Sequence, residues 1–161
     1  MKLSILFART LIAVAFIAAS TNVAMAQFGS GSNALLGTWK VTLTPDTGAP
    51  PFDELMTFTD GGGIVESNNF PFFEVGLSAG PGQGSWSYAG RQRFPFTFVK
   101  FLYLPTGQGV GMLKVAGTIT YSPTDDTWSG PATVSICDNQ ISNCVTQGVT
   151  DGRARRLVAA P

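Results

Sequence analysis

The 161-residue chain contains no histidine. That absence removes a Ser-His or Cys-His nucleophile, the usual zinc sites and a His-ligated haem. Charge is scarce too: Asp, Glu, Lys and Arg make up 12% of the residues, well under the ~25% of ordinary domains. Ten basic and ten acidic residues cancel, so no basic surface is available for nucleic acid or an anionic membrane. Two pairs of acids adjoin, Asp53-Glu54 and Asp125-Asp126. Neighbours on a strand point to opposite faces, so neither pair makes an acid/base dyad, and both read as solvated turn or edge charges. No motif calls for a cofactor or a metal ion, and no catalytic group stands out.

Long apolar runs are also missing, with one exception near the start. Lys2 and Arg9 precede an apolar stretch at 11–19, and Ala24-Met25-Ala26 supplies the small-x-small pattern of a signal peptidase site. The run is shorter than the ~20 residues of a membrane span. Residues 1–26 therefore read as a secretory signal peptide and Gln27 as the mature N-terminus. The protein is expected to be exported, either periplasmic or secreted, with no membrane span after cleavage. No cysteine follows the cleavage site and no twin arginine precedes it, which argues against a lipoprotein and against twin-arginine export.

Removing 26 residues from 161 leaves 135, enough for one domain with a core. Lys2 and Arg9 leave with the signal, so eight basic residues face ten acidic ones in the mature chain. All 19 glycines lie in it, about 14% against a usual ~7%, which with many aromatics suits short strands and tight turns. The two cysteines, Cys137 and Cys144, flank a polar six-residue loop. In an exported chain a disulfide is the expected reading, since the spacing is not Cys-x-x-Cys and no cation adjoins either thiol. Asp138, Asn139 and Asn143 could offer oxygens to calcium, but capping this loop is the favoured role.

The chain then reads as one strand after another. Residues 27–34 form a Gly/Ser leader expected to be flexible, and 35–161 the folded domain. In the first strand Trp39, Val41 and Leu43 alternate with Thr38, Lys40 and Thr42. Further strands are expected at 52–59, 64–67, 85–89, 93–104, 110–122, 127–137, 145–147 and 153–158. Asp60-Gly61-Gly62-Gly63 signals a hairpin. Residues 68–84 read as a long loop, a length associated with lids and binding segments, with Phe70, Phe72 and Phe73 either closing over a site or plugging the core. Eight or nine strands in an unbroken meander solve their edge problem best as a closed up-and-down barrel; a β-sandwich is the alternative.

Gly37-Thr38-Trp39 in the first strand, with basic residues on the last, resembles the Gly-x-Trp signature of the calycin superfamily, the lipocalins and their bacterial relatives. The resemblance implies a single antiparallel barrel of about eight strands. It also implies an arginine near the chain's end, Arg155 or Arg156 rather than Arg153, stacking over Trp39 to close one end. A guanidinium over an indole is worth roughly 0.5–2 kcal/mol.

Three functions are compatible with such a barrel. A binding protein would hold a small hydrophobic ligand among Phe58, Trp86, Tyr88, Phe94, Phe96 and Phe98, unless these side chains fill a solid core. An interaction or inhibitor module with a filled barrel would meet a protein partner through the 68–84 loop. A barrel enzyme resembling allene oxide cyclases or dirigent proteins would steer a reactive substrate with few catalytic groups, and a buried acid beside a cavity would favour it. Glu66 and Lys100 fit a lumen or the outer surface equally well.

Overall fold

The protein was analysed as a computed structural model that describes residues 31–158. The expected signal peptide, residues 27–30 and residues 159–161 lie outside the described residues. Nine strands follow in chain order: β1 (Gly37–Pro45), β2 (Phe52–Phe58), β3 (Gly63–Asn68), β4 (Ser78–Ala79), β5 (Gly82–Trp86), β6 (Arg93–Tyr103), β7 (Gly109–Ser122), β8 (Thr127–Cys137) and β9 (Cys144–Arg156). All pairings are antiparallel. Eight strands pair in sequence, β1-β2-β3-β5-β6-β7-β8-β9, and β9 returns to β1, so the sheet closes on itself. The ninth, β4, is a two-residue strand on the far end of β6, opposite Leu102 and Tyr103. The expected closed barrel is therefore the fold, and the two-sheet alternative is excluded by the continuous ring.

Alternation along the strands sets the inside. Trp39, Val41 and Leu43 are buried while Thr42 and Thr44 face out, and β2 buries Glu54, Met56 and Phe58 in the same way. At one end, where β1 begins, Trp39, Phe58, Trp86, Phe94, Ile119 and Trp128 form a filled core. Its rings meet edge-on or tilted, Phe58 with Trp86 at 5.9 Å and Trp39 with Trp128 at 6.4 Å between centroids, arrangements that favour aromatic pairs over flat stacking.

Several expectations are corrected. Gly82-Gln83-Gly84, read as loop, belongs to β5. A Cβ on Gly84 would collide with the Thr97 carbonyl oxygen, and one on Gly82 would collide with Glu66 and Phe98; these glycines permit close packing and do not mark a turn. Tyr88 does not share the face of Trp86, because β5 ends at Trp86 and Tyr88 sits exposed in the following turn, its ring 5.2 Å from Phe94. The segments at 145–147 and 153–158 are one strand, β9, whose register shifts opposite Val134 and Ser135 so that Gln147 is left without a partner on β8. A bulge of this kind absorbs an extra residue without ending the strand. Ala34, the last residue of the expected leader, and Leu35, the first of the expected domain, belong to a 3-10 turn over Ser32–Leu35, in which Leu35 is fully buried.

Candidate functional site

The filled end is sealed by a cap built from both ends of the domain. The Arg156 guanidinium carbon lies 4.2 Å from the Trp39 ring centre, and its nitrogens donate to the carbonyls of Leu36 and Ala34 and to both carboxylate oxygens of Asp126. The Trp39 indole N–H donates to the Leu35 carbonyl at 2.8 Å. Gly37 is required here: its φ of +110° is strained for any side chain, and a Cβ would press on the Arg156 guanidinium. Arg156 holds the Asp126 carboxyl below the usual carboxylate range, chiefly through these hydrogen bonds. Arg155 instead pairs with Lys40 across the strands and faces out.

The opposite half is hollow. A cavity of about 230 Å³ opens toward the loops after β1 and β3. It exists because the β8–β9 wall carries small residues inward, Gly130, Ala132, Gly148, Thr150 and Gly152, where the other end carries Trp128 and Arg156. Phe52, Phe96, Phe98, Leu113 and Val134 line much of the remainder. Phe70 and Phe72 cover it from the loop after β3, their rings 4.8 Å apart, and Phe70 meets Phe52 at 5.0 Å. Phe73, in the same 3-10 turn (Phe72–Val75), turns away and is 76% exposed.

Of the nine aromatics expected to line or cover a lumen, the structure thus brings Phe70, Phe72, Phe96 and Phe98 to the cavity. Phe58, Trp86 and Phe94 pack the closed end, and Tyr88 and Phe73 lie outside. Cys137 and Cys144 are disulfide-bonded at the rim of the hollow end. The loop between them is organised by Asp138, whose carboxylate accepts from the Ser142 hydroxyl and N–H, from Asn143 and from the Gln140 N–H. These hydrogen bonds hold its carboxyl well below the usual range. Asp138 caps the loop.

Comparisons with protein-family models, with characterised proteins and with solved structures give no match. The site therefore has to be read from its own chemistry.

That chemistry is a buried polar cluster which sequence reasoning only partly anticipated. The side chains of Lys100 and Glu66 are 2% and 0% exposed, and the Lys100 ammonium lies 3.0 and 2.8 Å from the two oxygens of Glu66. Glu54, expected to be solvated, is 5% exposed and lines the cavity. Removal from water, followed by the neighbouring Glu66 charge, pushes its carboxyl up to about 8, with Lys100 opposing the shift. Glu54 therefore favours its protonated form near neutrality, beside the Lys100–Glu66 ion pair. The reason for the miss is specific. Alternation put Glu54 on the face of Phe52, Met56 and Phe58, but a carboxyl is admitted to a core only with partners, and Lys100 is 46 positions away. Nor could the sequence indicate that two lining groups, the Thr150 hydroxyl and the Trp128 indole N–H, have no hydrogen-bond partner among the described residues.

Proposed function

We propose that the protein is an exported, non-enzymatic β-barrel that holds a small, largely apolar molecule in its open half. The observation that carries this reading is the apolar cavity of about 230 Å³, sealed at one end by the aromatic core and roofed by Phe70 and Phe72 at the other. Ligand pockets are mostly apolar with a few placed polar groups, and Glu54 and Thr150 are such groups. The arrangement of Gly37, Trp39 and Arg156 supports kinship with the lipocalins and other calycins. Export is supported by the signal-like pattern at 1–26 and by a disulfide that suits an oxidising compartment.

A second reading has one observation in its favour. Glu54, buried beside the cavity and protonated near neutrality, is what a barrel enzyme akin to allene oxide cyclases or dirigent proteins would use to polarise a substrate. Interaction with a protein through the 68–84 loop would use the exposed Phe73 and Val75.

Native mass spectrometry of the protein purified without detergent from its exported fraction tests the leading reading. Extra mass that is lost on organic extraction is the expected result. A bare mass, together with failure of apolar probes to bind, would overturn it.

A further inference from the structure

The ionisable groups of the cavity wall are of one kind. Among the described residues that line it, Asp46 and Glu54 alone are ionisable, and both are acids. Asp46 sits at the rim, where its carboxylate accepts the Val149 N–H at 3.1 Å. The nearest buried cation, Lys100, is held on both oxygens of Glu66 and does not face the cavity. A ligand carboxylate would meet two acids and no free cation. An ammonium group would meet an acid able to ionise for it, within a wall of aromatic rings whose faces attract cations.

Resting on the binding reading above, we propose that the cavity selects a small apolar amine, its ammonium group seated on the Glu54 carboxylate. The groups that face Glu54 fix the charge arithmetic. Glu66 comes from β3, Lys100 from β6, and β1 contributes Val41 opposite it. With Glu54 and Glu66 ionised, Lys100 and the bound ammonium restore neutrality in a place where net charge is expensive. Thr150, on β9 and also in the wall, leaves its hydroxyl for a second polar atom of the ligand. Ammonium binding must displace the proton that Glu54 carries in the empty protein. Affinity therefore rises as pH approaches 8, by up to about tenfold per pH unit, and each binding event below that pH releases a proton.

Titration calorimetry with 2-phenylethylamine, 3-phenylpropan-1-ol and 3-phenylpropanoate, in two buffers of different ionisation enthalpy, tests this. The amine should bind at least about tenfold more tightly than the propanoate at pH 7, with close to one proton released at pH 6.5. In Glu54→Gln the proton release should vanish and the amine should fall to the level of the alcohol. Equal or tighter binding of alcohol or propanoate by the wild type, or amine binding without proton release, would overturn the amine assignment while leaving apolar binding in place. Failure of all three probes would overturn the binding reading and the assignment together. Should Glu54→Gln not fold, the wild-type proton count and ligand ranking decide alone.

Discussion

The two ends of the barrel are cut from the same strands and differ in what those strands carry inward. Strand β2 presents Phe58 at the sealed end and Glu54 at the open one; β6 presents Phe94 and then Lys100; β8 presents Trp128 and then Ala132. One end is aromatic, filled and capped by Arg156. The other carries glycine, alanine and threonine inward on its β8–β9 wall, holds three buried ionisable groups and stays open. The difference teaches that a closed ring of hydrogen bonds fixes the wall alone, and that inward side-chain volume decides where the wall encloses space.

Breaking the filled end should have the largest effect. Trp39→Ala removes a fully buried indole from contact with Tyr121, Trp128 and Arg156, and should destabilise the fold by about 3–5 kcal/mol in urea denaturation. The matching change at the open end, Phe96→Ala, removes a half-buried ring that already borders empty space, and should cost about half as much or less. Equal losses would mean that the two ends are packed alike.

Next in size is Lys100→Met. It strands Glu66 without its cation, a loss of about 3 kcal/mol at pH 7 for a buried partner left alone. The double variant Lys100→Met/Glu66→Gln should regain most of that, and denaturation curves of the pair distinguish an unpaired charge from a lost packing contact. Replacing both cysteines by serine opens the rim loop and should cost about 2.5 kcal/mol on the chain-entropy account, a difference that reduction of the wild type should reproduce.

The last effect is spread over pH and is the smallest only within any one pH unit. The Glu54 carboxyl is raised to about 8 from the ordinary glutamate value of 4.5, so between those limits the folded state binds more protons than the unfolded one. Stability is then fully present below about pH 4.5 and declines as pH rises toward 8, by at most about 1.4 kcal/mol per unit for one group. Glu54→Gln should flatten this decline, and denaturation at pH 5, 6, 7 and 8 reads it directly.

Much of the filled end was legible in the sequence. Alternation through Trp39, Val41 and Leu43 identified a core face, and the lipocalin-like pattern pointed to an arginine over Trp39, which local features could not narrow beyond Arg155 or Arg156. Strand parity separates those two: Arg156 lies opposite Trp39 and Arg155 opposite Lys40. The hollow end was less legible, for two physical reasons. Glycine carries opposite messages in a turn and in a crowded strand, so Gly82 and Gly84 were indistinguishable from loop until their neighbours were known. Acids and lysines are surface residues by default, and Lys100 meets the β2–β3 hairpin that carries Glu54 and Glu66 from 34 positions beyond Glu66. Tyr88 shows the limit of period-two reasoning, which says which residues would share a face but not where the strand stops.

The pairing of β1 with β9 places Val41 opposite Ala154 and Trp39 opposite Arg156, contacts separated by more than a hundred positions along the chain. A ring whose last strand completes its first cannot close until β9 has reached β1. Trp39 emerges early and waits uncovered until Arg156 arrives. Folding is thus a late event governed by long-range closure, slow by the standards of small domains rich in local contacts, and the interval before closure is when the aromatic strands are most open to association with other chains.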